Sequence, residues 1–296
     1  MTELTDEQIL ELEDKAVKIR ETIIKTLVEA GSGHSAGPLG MADIFTAFYF
    51  NILKHDPKNP EWEDRDRLIL SNGHICPVRY VTMAYAGYFP MEELKTLRKI
   101  NSRLQGHPHR TSLPGLETTS GPLGSGLSQA AGIALAALMD KKKYHVYCLT
   151  SDGEHQEGNT WEAVMFAGKL KISNLIQIMD RNNIQIDGYT EHVMPLEPLR
   201  DKYEAFGWHV LEADGNNIHA FIDTVHEAQA IHESPTLIIA HTIPGKGVDF
   251  MENNYLWHGV PPNAGNVVGA PQKNDQEKVA LKELRTLQGK IESEMD

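Results

Sequence analysis

Two short hydrophobic runs, residues 144–150 (YHVYCLT) and 175–179 (LIQIM), have the β-branched and aromatic content of buried strands, and residues 159–170 between them repeat apolar positions at helical spacing. Strand, helix, strand is a βαβ unit, which brings the C-terminal ends of both strands to one edge of a parallel sheet. Residues 65–71, 208–212 and 236–240 read as further strands. Helical spacing recurs over 76–86, 127–138 and 196–206 and from Ile218, with a short charged helix from Met91. At the N-terminus, Thr5 and Gln8 stand at capping-box spacing ahead of Ile9, Leu12, Ala16, Ile19, Ile23 and Leu27, and Gly31 marks the helix end. A glycine-rich loop through Gly40 leads to a second helix expected over 41–52. This alternation predicts an α/β fold, an open parallel sheet with helices on both faces and ligands at the strand C-terminal edge. One domain is expected over 1–270. A charged helix within 271–296, about 274–294, is expected to belong to it.

That edge gathers the candidate chemistry. Asp152-Gly153 follows one strand of the βαβ unit, and Asn182, in the run Asp180-Arg-Asn182, follows the other. A carboxylate facing an amide oxygen, with a backbone carbonyl from the second turn, is a partial oxygen cage for Mg²⁺, which keeps positions open for phosphate oxygens. Gly153 lets those oxygens approach the backbone. Asp, Asn and Gly also fill turns for conformational reasons alone, so it is their placement at consecutive strand ends that points to a site. His74, after Asn72-Gly73, shares the edge, while His34 sits in the glycine-rich loop and His107 in Gly106-His107-Pro108. Gly121, Gly124 and Gly126 open a helix whose N–H groups suit an anion or, alternatively, close helix packing.

The chain has 296 residues, with 41 acidic against 28 basic and a formal charge of −13, which disfavours a nucleic-acid partner while leaving local binding of small phosphates open. Cys76 and Cys148 lie in apolar runs and read as reduced structural thiols, the usage of a cytoplasmic protein. No apolar run approaches the length of a membrane span, about 18 residues or more. His226 and His232 are spaced wrongly for a zinc-protease helix.

The motifs Ser32-Gly33-His34, Asp66-Arg67 with Ser71-Asn72-Gly73-His74, Gly106-His107-Pro108, Thr119-Ser-Gly121-Pro122-Leu123-Gly124, Asp152-Gly153 with Glu157, Asp180-Arg-Asn182 with Ile184 and Asp187-Gly188, and His258-Gly259 occur in one order. In that order the chain, from about Arg20 to Gly259, resembles the N-terminal, diphosphate-binding half of transketolase. The resemblance implies thiamin diphosphate and Mg²⁺ as cofactors, with Asp152, Asn182 and the Ile184 carbonyl on the metal. It places His74, Gly121, Pro122, Leu123, Gly153, Glu154 and His258 around the cofactor. Lys246 is either a further diphosphate contact or a surface lysine. His34, His74, His107, His258 and Glu157 become the catalytic candidates.

The implied reaction is transfer of a two-carbon ketol unit from a ketose phosphate to an aldose. It requires a partner chain that supplies the C-terminal half, including the pyrimidine-binding domain, in a dimer of heterodimers. Ser151 and His109 depart from the family pattern, which usually has a glycine and an acidic residue there. Two other readings are the alpha subunit of a 2-oxo acid dehydrogenase and a non-catalytic cofactor-binding regulatory subunit.

Overall fold

The computed structural model describes residues 4–287. Among the described residues seven strands are present, β1 (Arg67–Leu70), β2 (Val146–Ser151), β3 (Leu175–Arg181), β4 (Ile184–Gln185), β5 (Gly188–Tyr189), β6 (His209–Asp214) and β7 (Thr236–His241). The helices are α1 (Asp6–Ala30), α2 (Ala36–Gly40), α3 (Ala42–Ala47), α4 (Cys76–Tyr85), α5 (Ser125–Met139), α6 (Gly158–Leu170), α7 (Thr190–Val193), α8 (Leu199–Ala205), α9 (Ile218–Gln229) and α10 (Gln276–Leu287). Five strands form a parallel sheet in the order β1-β2-β3-β7-β6.

Strand side chains alternate between faces, and the core divides accordingly. Tyr147 and Leu149 of β2 join Ile176, Ile178 and Ile238 beneath α1, α3, α4 and α9, while Val146 and Cys148 join Leu175, Met179 and Leu237 beneath α5, α6 and α8. The predicted open sheet covered on both faces is therefore the observed architecture. Ala280 and Leu284 of α10 are buried in the first of these clusters, and residues 288–294 of the helix expected there lie outside the described residues.

Thr5 caps α1 in a full capping box with Gln8, and Gly31 closes the helix at φ 64. The second helix begins earlier than expected. Residues 36–40 are already helical as α2, because Pro38 falls within the first turn, where a missing N–H costs no intrahelical bond. Gly40 lies against the backbone after β7, where a Cβ would stand 2.8 Å from the Ile243 carbonyl oxygen. The hairpin of β4 and β5, pairing Ile184 with Tyr189, was not expected. Strands of two residues are too short to show an alternation in sequence.

Candidate active site

In the sheet, Ser151 stands beside Asp180. Parallel pairing thus carries the chain after β2 and the chain after β3 out at the same level. The Asp152 N–H donates to the Asp180 carbonyl at 3.1 Å, and the Asn183 N–H returns to Asp152 Oδ2 at 2.7 Å. Asp152 is fully buried, and its carboxylate also accepts from Gly153 N at 2.6 Å, Arg181 Nη1 at 3.1 Å and Thr190 Oγ1 at 3.3 Å. Burial pushes this carboxyl up, and Arg181 with the two backbone donors pulls against that rise.

Asn182 is oriented from both ends. Its Nδ2 donates to Asp180 Oδ2 at 2.7 Å, which directs its Oδ1 toward the Ile184 N–H at 3.1 Å. Gly153 faces Gln185, where a Cβ would stand 3.2 Å from the Gln185 Cβ. The turns bearing Asp152, Asn182 and Ile184 therefore meet, and a carboxylate with an amide oxygen is the donor set a hard divalent cation takes.

Three imidazoles cluster together, and a Cβ on Gly259 would stand 3.7 Å from both His34 Nε2 and Ile186 Cδ1, which links the cluster to the turn between β4 and β5. The ring centroids of His34 and His74 are 4.9 Å apart, those of His34 and His258 5.4 Å, and those of His74 and His258 5.1 Å. Burial lowers His34 to about 3 and His258 to about 4, and holds His74 well below its ordinary value. All three are neutral at pH 7, each ring offering one donor and one acceptor nitrogen. His107 is exposed and stands beside Gly121, 3.8 Å from where a Cβ would be, with Gly121 at φ 142. Burial lowers His107 first and the Arg98 charge lowers it further.

Around these rings lie buried polar atoms with no protein partner: both side-chain atoms of Asn72, Ser120 Oγ and His258 Nδ1. Buried polar groups are nearly always bonded, so such a group beside a glycine-lined turn marks where a polar ligand supplies the missing partners. Asn72 and Ser120 belonged to the motifs read in the sequence, but only their burial singles them out.

Glu154 departs from expectation. Rather than facing a cofactor, its carboxylate is fully buried as a brace, with Oε1 accepting from Ser71 Oγ and Gly124 N and Oε2 from Ser151 N at 3.2 Å. The Ser71 hydroxyl in turn accepts from Gly126 N at 3.0 Å. Two of the N–H groups opening α5, which one of the two readings offered to an anion, are thus occupied from within the protein, leaving the Gly121–Leu123 backbone as the part of that loop open to a ligand. Glu157, a catalytic candidate, is exposed as the N-cap residue of α6 with its Cβ against Gly124, and no hydrogen bond joins it to the imidazoles. Lys246 lines a pocket of about 590 Å³ with Glu11, Asp14, Arg20, Asp43 and Asn216, to which no histidine contributes. Of its two readings, the structure does not support the diphosphate contact.

Arg181 was not foreseen. It joins Asp152 to Glu191 at 2.8 Å and Glu197 at 3.0 Å, which ties the β4–β5 excursion back to the aspartate. It lies within the Asp180-Arg-Asn182 run read from the sequence, but nothing in that run gives the arginine a role of its own. Its role follows from the excursion folding back, which the residues alone do not show.

The family model described as "Transketolase, thiamine diphosphate binding domain" matches residues 13–279. The 6-deoxy-6-sulfo-D-fructose transketolase subunit of Clostridium sp. (strain MSTE9) is 42% identical over 254 residues, covering 86% of this chain and 92% of the relative. An apulose-4-phosphate transketolase subunit of Phocaeicola vulgatus is 42% identical over 255 residues, covering 86% of this chain and 90% of the relative. Among solved structures, the transketolase of Campylobacter jejuni matches with a TM-score of 0.80 and 32% identity over 94% of this chain, which spans 47% of that one. The order of motifs, the strand-end geometry and these matches agree, and the chain belongs to the transketolase family as its thiamin-diphosphate-binding domain.

Proposed function

We propose that this chain is the diphosphate-binding subunit of a split transketolase, moving a two-carbon ketol unit from a ketose phosphate to an aldose acceptor. The observation that carries the reading is the cluster of His34, His74 and His258, with rings 4.9 to 5.4 Å apart, joined through Gly259 to Ile186 in the β4–β5 turn that follows Asn182. Sugar transketolase chains of which this one covers nine-tenths support it, as does their naming as subunits, which implies a partner. That partner would supply the pyrimidine-binding half, and a dimer of heterodimers is the simplest closed assembly. Two buried free cysteines fit a cytoplasmic setting, and among the described residues no helix is long and apolar enough to cross a membrane.

Asp152, Asn182 and the Ile184 carbonyl would hold Mg²⁺. Gly153, His74, His258 and the backbone of Gly121, Pro122 and Leu123 would surround the diphosphate and thiazolium. Thiamin diphosphate, when bound, supplies the centre that stabilises a carbanion next to a former carbonyl. The protein's own task is then proton management and orientation. His34 and His107, neutral at pH 7, can accept a proton from one sugar hydroxyl oxygen and return it to another, and neighbouring rings fix the hydroxyls by hydrogen bonds.

This cluster favours ketol transfer over oxidation of a 2-oxo acid, because decarboxylation requires no contacts to several hydroxyls. The assembled enzyme, offered a ketose phosphate with an aldose in one reaction and pyruvate in another, should make a new ketose in the first and release little CO₂ in the second. The opposite preference would sink the assignment. Replacing His34 or His107 with Ala should each reduce transfer by about 10²-fold or more, the usual worth of acid–base help, with thiamin diphosphate affinity kept within a few-fold. Steady-state rates and cofactor titrations separate the two effects. A variant with full activity removes that histidine from the mechanism.

A further inference from the structure

The Ile184 carbonyl sits on a weak support. β4 and β5 pair only Ile184 with Tyr189 and Gln185 with Gly188, and a two-stranded hairpin is marginal in water on its own. Asp152 is held by the Gly153 and Asn183 N–H groups, Arg181 and Thr190, and Asn182 is fixed between Asp180 and the Ile184 N–H. The hairpin has to be held from outside. On the β5 side the Tyr189 hydroxyl donates to the Asn253 carbonyl at 3.2 Å. On the other side a single amide, that of Gln156, reaches both flanks of the hairpin. Gln185 Nε2, on β4, donates to Gln156 Oε1 at 3.4 Å, and Gln156 Nε2 donates to the carbonyls of Thr190 at 3.3 Å and Met194 at 2.8 Å, just after β5.

This arm is itself anchored. Gln156 ends the turn Gly153–Gln156 that leaves β2, and its neighbour His155 is buried with Nδ1 bonded to the Ser151 carbonyl at 2.7 Å and Nε2 to the Tyr203 hydroxyl at 2.7 Å. The Trp161 indole N–H donates to the His155 carbonyl at 2.8 Å. β4 lies directly on the same turn, as the 3.2 Å approach of Gln185 to Gly153 shows. The Gln156 side chain makes no hydrogen bond to Asp152, Asn182 or Ile184. What it fixes is the place of the strand that carries the carbonyl.

We propose that Gln156 is a positioning residue that sets the site's preference for Mg²⁺ over Ca²⁺, by holding the Ile184 carbonyl in a fixed place relative to Asp152 and Asn182. The proposal rests on the reading that these three groups take the cation. Mg²⁺ demands near-ideal octahedral geometry with oxygens at about 2.0–2.1 Å, whereas Ca²⁺ takes roughly six to eight oxygens at about 2.3–2.6 Å in flexible arrangements. A carbonyl free to drift therefore costs Mg²⁺ much and Ca²⁺ little. A purely structural role for Gln156 would weaken both ions alike.

The test uses the assembled enzyme stripped of metal, with thiamin diphosphate in excess, and reads Mg²⁺ and Ca²⁺ affinity by calorimetric titration. Gln156→Met keeps the length of the side chain and removes its donor and acceptor. It should weaken Mg²⁺ by about 10-fold, the low end of what losing a group that orients a metal ligand costs, because Gln156 acts one residue away from the carbonyl. Ca²⁺ should weaken by no more than about threefold, since its coordination tolerates the drift. Gln185→Met, which cuts the β4 arm, should move the Mg²⁺/Ca²⁺ ratio the same way by a smaller factor, and it serves as the test if Gln156→Met folds poorly. In the metal-free enzyme, amide hydrogen exchange over residues 183–194 should quicken in Gln156→Met while the sheet keeps its protection. An unchanged ratio, whether both ions weaken together or neither does, overturns the proposal and leaves the metal site where it is. If the unaltered enzyme binds thiamin diphosphate equally well with no divalent cation, the reading of Asp152, Asn182 and Ile184 as a metal site fails instead.

Discussion

Asp152→Ala weakens binding of thiamin diphosphate with Mg²⁺ by more than about a hundredfold while the sheet stays folded. Removing a group that merely orients a metal ligand costs about 10–100-fold in affinity, so removing a charged ligand itself costs more. The carboxylate is also fully buried against Arg181, and its loss leaves that guanidinium with Glu191 and Glu197 alone. Stability therefore falls too, because a buried charge has lost one partner. Asp152→Asn separates the two effects, since it keeps the shape and one acceptor oxygen while deleting the charge. Calorimetric titration with Mg²⁺ and thiamin diphosphate, alongside thermal melting, reads both. If Asp152→Asn binds as the unaltered protein does, the metal lies elsewhere.

Much of this was legible in the residues because parallel topology makes a few strand ends carry the site. Runs such as 144–150 and 175–179 fix two neighbouring strands, and once those are parallel, Asp152 and Asn182 must emerge side by side. The convergence of His34, His74 and His258 was less direct. They lie on loops after α1, after β1 and well after β7, and only the motif order suggested that those loops meet. What the sequence hid were roles set by hydrogen bonds across long separations. Glu154 stands in an Asp-Gly-Glu run that invites a ligand reading, yet Ser71 and Gly124 claim its oxygens. Lys246 follows a strand at the expected edge, but β7 lies between β3 and β6, and the lysine falls into a pocket with acidic residues of α1.

Glu154→Ala should be the most damaging single change to the stability of the site's frame, although it removes no ligand. The carboxylate binds the end of β1 through Ser71, the start of α5 through Gly124 and the end of β2 through Ser151. These are the segments that deliver Asn72 and His74, the Gly121–Leu123 backbone, and Asp152. Truncation strands three buried donors, and at about 1–2 kcal/mol for each the expected loss is about 3–6 kcal/mol. In a domain of this size that corresponds to a melting temperature lower by roughly 6 °C or more. Glu154→Gln should cost less, because an amide oxygen can still serve Ser71 and Gly124. Its NH₂ must then face the Ser151 N–H, donor against donor, so affinity for thiamin diphosphate drops with Asp152 itself unchanged. Melting curves and cofactor titrations of both variants test this ordering. An alanine variant that melts within about 1 °C of the unaltered protein and binds cofactor equally well would show that the three segments are held by their own packing, with the carboxylate a passive occupant of the gap between them.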